Sequence, residues 1–97
     1  MTVHYAEEAE QDLDDIASYT ARVWDVVVRD RYLAHLETVC EQVLPEHYRQ
    51  IARPYGHPSY PGVLQYRSES HVVYFRAVPD GLEILTIRHV RRAPLDG

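Results

Sequence analysis

Between residues 63 and 92 the chain reads VLQYRSESHVVYFRAVPDGLEILTIRHVRR, three β-branched and aromatic runs with very little between them. The runs cover residues 63–67, 71–78 and 82–90, and only Ser68-Glu69-Ser70 and Pro79-Asp80-Gly81 separate them. Connections this short leave no room for a crossover, so the three strands must fold back on one another as an antiparallel meander. The rest of the chain then has to supply whatever covers that sheet.

Successive residues of a strand point to opposite faces, and parity sorts the meander into two sets. Leu64, Tyr66, His71, Val73, Phe75, Ala77, Leu85, Ile87 and His89 form a mostly apolar set that should face a core. The other set holds Gln65, Arg67, Val72, Tyr74, Arg76, Ile84, Thr86 and Arg88, one arginine per strand, with Arg91 and Arg92 following at the end. Three arginines on one face, with Tyr74 between them and a basic tail alongside, are the expected binding surface for an anionic partner. The bland alternative is a solvated polar face, which antiparallel sheets commonly have.

Upstream, Val3 and Tyr5 mark a short strand over residues 2–5, expected at the sheet's edge. From Ala6 the positions Ala9, Leu13, Ile16, Ala17, Thr20, Val23 and Trp24 recur at helical spacing and predict one buried stripe. Glu7, Glu8, Glu10, Asp12, Asp14 and Asp15 crowd the first turns, where the helix dipole favours negative charge, and read as a solvated face. A loop of about four residues leads to a second helix capped by Asp25, with Tyr32, Leu36, Val39, Cys40 and Val43 as its stripe and Pro45 as its end. Residues 46–62, with Pro54, Gly56, Pro58, Pro61 and Gly62, predict a turn-rich connection with little regular structure. Residues 93–97 read as a short tail in which Pro94 stops the ladder. The expected fold is therefore α+β: an N-terminal strand, an antiparallel helical hairpin and a three-stranded antiparallel meander, with the helices packed on one sheet face.

Ninety-seven residues suit a single domain, 1–97, and 45% hydrophobic with 26% charged residues is a globular composition. No apolar run approaches the ~20 residues of a membrane span, and the N-terminus lacks a signal-peptide pattern. A cytoplasmic protein without membrane association is expected. The net charge of -5 conceals a division: residues 1–48 carry eleven acidic side chains against three arginines, residues 49–97 four against seven. All ten basic residues are arginine, whose planar fork suits phosphate and carboxylate groups.

His71 and His89 are the candidates for acid–base work, since both titrate near neutrality and stand at the ends of adjacent strands on one face. As rim histidines holding one hydrogen bond they would be structural. No cysteine–histidine cluster has zinc spacing, and no phosphate-binding or dinucleotide-binding glycine motif and no GxSxG is present, so neither metal nor cofactor is expected. Cys40, the single cysteine, falls on a helix stripe and reads as core.

Given this order of elements, the chain resembles the RelE/ParE superfamily of bacterial type II toxin–antitoxin toxins. The resemblance rests on AEEAEQDLDDIASY at residues 6–19, the break at Pro45, Pro61-Gly62 before the meander, HVVYFR at 71–76 and DGLEILTIRHVRR at 80–92. The D-L-x-D-I-x-x-Y opening and the strand ending in His89 with arginines after it look more like the ParE branch. That branch implies inhibition of DNA gyrase, growth arrest, plasmid stabilisation and a cognate antitoxin, with which a hetero-oligomer is expected. The RelE branch implies mRNA cleavage in the ribosome, for which His89 would be the acid–base residue; an inactive antitoxin-binding module is the third reading. The resemblance directs target or antitoxin binding to Arg67, Tyr74, Arg76, Arg88, His89, Arg91 and Arg92. The sequence departs from the ParE pattern at Ala93, where an aspartate is common, and at Leu64, where a basic residue is common; no tyrosine follows His89.

Overall fold

In a computed structural model, which describes residues 1–92, the first strand β1 (Thr2–Tyr5) leads directly into helix α1 (Glu7–Val23). Helix α2 (Val26–Thr38) follows after only Trp24 and Asp25. The expected four-residue loop is shorter because Asp25 caps α2 at once, its carboxylate accepting from the Val28 amide at 2.8 Å. Val23 and Trp24, expected on the buried stripe, lie exposed at the tip of this hairpin. The chain has already begun its reversal there, so neither side chain reaches the sheet.

Pro45 does not end the second helix. One wide π-helical turn (Val39–Val43) follows α2, and α3 (Leu44–Ile51) continues from it with Pro45 in its first turn. Proline is tolerated there because its missing N–H belongs to a position whose helical bond is displaced by the widened turn. The extra residue in the turn also shifts the buried stripe: Leu44 is fully buried and Val43 only partly. Residues 46–51 are thus helical, and Arg53–Pro54 form a short strand, β2, so the expected irregular connection shrinks to residues 55–63.

Strands β3 (Leu64–Ser68), β4 (His71–Val78) and β5 (Gly81–His89) are the meander. The sheet has the order β1-β5-β4-β3-β2, with β1 parallel to β5 and the other neighbours antiparallel. β1 approaches so closely that a Cβ on Gly81 would stand 1.8 Å from the Thr2 carbonyl oxygen, which leaves glycine as the residue that fits.

A β-bulge changes the parity of β5. Tyr74 pairs with Thr86 but Phe75 pairs with Ile84, leaving Leu85 as the extra residue. Leu82 and Ile84 therefore enter the core, and Leu85, expected there, is partly exposed; Ile84 does not join the arginine face. The core itself is the expected one between sheet and helices: Ala9, Ile16, Leu36, Val39, Cys40 and Leu44 meet Val73, Phe75, Leu82, Ile84 and Ile87. Leu13 packs at its margin, and Phe75, fully buried, has the Tyr48 ring edge-on at 6.2 Å. No helix among the described residues is long and apolar enough to cross a membrane.

Candidate functional site

Strand pairing places Arg67 and Arg88 on either side of Val72 in one row, with Arg76 further along the same parity of β4. The shared face is as expected, but it is not an open cationic plane. Tyr74, expected among the binding residues, is only 6% exposed, because the 55–63 segment folds over it and the Tyr55 ring meets it edge-on at 5.3 Å. A side chain so covered has no surface to offer a partner. Arg88 is similarly drawn in: its side chain is 13% exposed, donating from Nη2 to Glu8 Oε2 at 3.1 Å and from Nε to Thr86 Oγ1 at 3.4 Å. Arg76 donates to Glu83 Oε1 at 2.7 Å and Arg67 to the Glu69 carbonyl at 3.0 Å, yet both remain solvent-exposed. The exposed positive charge of this face thus belongs to Arg67 and Arg76.

A second constellation lies at the opposite face, where β4 begins and β5 ends. His71 and His89 are directly paired across the strands, with ring centroids 5.4 Å apart and planes nearly perpendicular. The Tyr32 hydroxyl from α2 lies 2.5 Å from His71 Nδ1 and shares a hydrogen bond with it. Burial, and then the neighbouring His89, push the His71 pKa down to about 4 against a weaker opposite pull from Asp12. His71 is therefore a neutral imidazole at pH 7. His89 is more exposed, and its Nδ1 accepts from the Arg91 amide at 3.1 Å.

Asp12 ties this region to α1. Counted with the solvated acidic face in the sequence, it is 6% exposed and accepts from Thr86 Oγ1 at 2.5 Å and from the Ile87 amide at 2.9 Å. Arg92 Nη1 stands 3.8 Å from its other oxygen. The signal was present: Ala9, Asp12, Ile16 and Thr20 are spaced by three, four and four, and all four are buried along one line of the helix. Among the described residues no strand adjoins the edge of β5 beyond β1, and the Asp12 carboxylate takes the place of a backbone acceptor there.

Together these residues line a groove of about 640 Å³. Its lining combines Ile16, Tyr19, Trp24 and Val28 of the hairpin with Tyr32, His71, Ile87 and His89, and with Asp12, Asp15, Arg91 and Arg92. Among the described residues no three histidine, cysteine or acidic side chains are grouped to hold a metal ion. Cys40 is buried, and burial pushes its thiol up to about 12, so it is no nucleophile at neutral pH. The tail at residues 93–97, with the Ala93 departure, lies outside the described residues.

Residues 3–94 match the family described as the ParE toxin of the type II toxin–antitoxin system, parDE. The chain belongs to the ParE toxin family. Its fold is also that of two solved structures at 18% identity. A chain of the chromosomal ParDE TA system from P. aeruginosa superposes with a TM-score of 0.72, covering 94% of this chain and 97% of that one. The toxin–antitoxin complex RelBE2 from Mycobacterium tuberculosis gives 0.67, covering 91% and 95%. No curated protein matches the sequence. In this ParE-family chain the groove gathers His89, Arg91 and Arg92 with Tyr32 and Asp12, which sequence reasoning did not assign to the site.

Proposed function

We propose that this ParE-family chain is a toxin that inhibits DNA gyrase in the cytoplasm and is neutralised by a cognate antitoxin. The observation that carries the reading is the extent of the family match, residues 3–94, which runs through β5 and the basic pair Arg91-Arg92. In its support, no tyrosine follows His89, and the arginine face is half enclosed by Tyr55 and Glu8 rather than laid open as a cradle for a phosphodiester chain.

The RelE-like reading has one observation in its favour, the pairing of His71 and His89 beside two arginines. Two adjacent imidazoles, of which His71 is neutral, are groups that can move protons in phosphodiester cleavage without a metal. A paired assay decides between them. The expected result is inhibition of gyrase supercoiling by purified protein, with filamentation and DNA-damage signalling on expression without antitoxin and with ribosome-bound mRNA intact. Cleavage of that mRNA, lost in His89→Ala, with gyrase unaffected, overturns the proposal in favour of the nuclease. Tight antitoxin binding with neither activity overturns it in favour of the silent module.

A further inference from the structure

We propose that His71 and His89 form a two-histidine site for a late first-row divalent cation, Zn²⁺ being the probe, with the remaining coordination positions open to the groove. The two residues have no zinc-ligand spacing in the sequence, and it is strand pairing that brings them together. The Val90 amide donates to the Ser70 carbonyl at 2.9 Å, which makes Ser70 and Val90 a hydrogen-bonded pair and the adjoining His71 and His89 a non-hydrogen-bonded one. Side chains approach most closely across a pair of that second kind. The ring centroids of the two histidines are 5.4 Å apart. Two imidazoles bound to one zinc at about 2.0–2.1 Å, with a tetrahedral angle between them, hold their centroids roughly 5.2 Å apart. The free protein thus already has the ring separation that a shared ion demands, and rotation about the Cβ–Cγ bonds aims one nitrogen of each ring at it.

Tyr32 supplies the support that a ligating histidine needs. Its hydroxyl lies 2.5 Å from His71 Nδ1, so a ring protonated at Nδ1 donates to that oxygen and presents the lone pair of Nε2 to the ion. A histidine held through its other nitrogen in this way has both its tautomer and its direction fixed. His89 is exposed, and its Nδ1 accepts from the Arg91 amide at 3.1 Å; ligation gives up that one contact, in a turn at the surface. The charge of Arg91 and Arg92 does not bar a cation, because Asp12 and Asp15 line the same groove. Asp12 is not a third ligand, since Thr86, Ile87 and Arg92 hold its carboxylate. With two protein ligands, water completes the sphere, and the ion is expected to be exchangeable and held with modest affinity.

Purified protein, freed of metal with a chelator, is titrated with ZnCl2 by calorimetry, and its melting temperature is followed with and without the ion. One ion per chain and a raised melting temperature are expected. His89→Gln, at an exposed strand end, should abolish both effects, and His71→Gln should do the same, with circular dichroism checking that each variant keeps its fold. Tyr32→Phe should bind about tenfold more weakly at the same stoichiometry, a loss that a tyrosine serving only the packing of a still-folded chain would not cause. Nitrogen-15 NMR of the imidazoles gives a direct reading: Nε2 of His71 and one nitrogen of His89 should shift on adding zinc. Binding that persists unchanged in His89→Gln, or shifts confined to His4, His35, His47 or His57, places the ion elsewhere and overturns the proposal. Failure of both Zn²⁺ and Cu²⁺ to bind, the latter being the tightest binder of the divalent series, overturns it as well. The site stands or falls apart from the toxin reading, which the gyrase assay tests.

Discussion

Replacing Asp12 with alanine removes the one acceptor that serves two buried donors, the Thr86 hydroxyl and the Ile87 amide. A buried donor left without a partner costs roughly 1–3 kcal/mol, so two of them set the expected loss at about 2–6 kcal/mol, a large part of what a domain this size has. Asp12→Asn keeps the volume and one acceptor oxygen, and its loss should be smaller, about 1–2 kcal/mol. The strongest check is Asp12→Ala combined with Thr86→Val. The valine has no hydroxyl to strand, so the double variant should lose less than the sum of the single variants by about 1 kcal/mol or more. Urea denaturation followed by far-UV circular dichroism measures the parent and the four variants, with unchanged slopes confirming that only stability has moved. Strict additivity, or an Asp12→Ala midpoint equal to the parent's, would refute the role given to this carboxylate.

Two further predictions concern the bulge and the histidine pair. Ile84→Ala should cost about 2–5 kcal/mol and Leu85→Ala much less, because the bulge turns Ile84 into the core and Leu85 towards solvent; equal losses would mean that β5 keeps strict alternation. His71, with a folded-state pKa of about 4 below its ordinary 6.5, favours the folded state above pH 6.5, and that contribution is lost as pH falls from 6.5 towards 4. The whole shift would correspond to about 3 kcal/mol, reduced by solvent at a half-buried group to about 1–2 kcal/mol. Denaturation of the parent and of His71→Gln at pH 7 and pH 4.5 tests this: the parent should lose stability to the variant over that range, and a constant difference would remove His71 from the account.

The meander, the two-helix cover and the Asp25 cap were readable because each rests on local chemistry: short polar turns, a 3.6-residue stripe, a carboxylate ahead of a helix. What was misread depends on partners far away in sequence. Ile84 and Leu85 are adjacent and both apolar, and only pairing against Phe75 decides which one is turned inward. Pro45 breaks an ordinary helix, but one preceded by a widened turn accommodates it. Asp12 was grouped with its acidic neighbours by composition, although its helical phase matched Ala9 and Ile16. Tyr74 has the outward parity of a surface residue, and it is the 55–63 segment, read as a mere connection, that buries it. His71 and His89 were correctly placed together by their strand positions, while Tyr32 was visible only as a member of a stripe.

The pairing of β1 with β5 has a consequence for how the chain comes to be folded. Thr2 finds its partner at Gly81, and Tyr5 at Ile84, so β1 is held by a strand from the far end of the meander. While the chain is still on the ribosome the hairpin can form, but β1 has no strand to join and the edge that Asp12 serves does not yet exist. Closure of so long a loop is entropically slow to initiate. The finished sheet, and with it the groove at the end of β5, therefore forms only after residues 81–84 are available to receive β1.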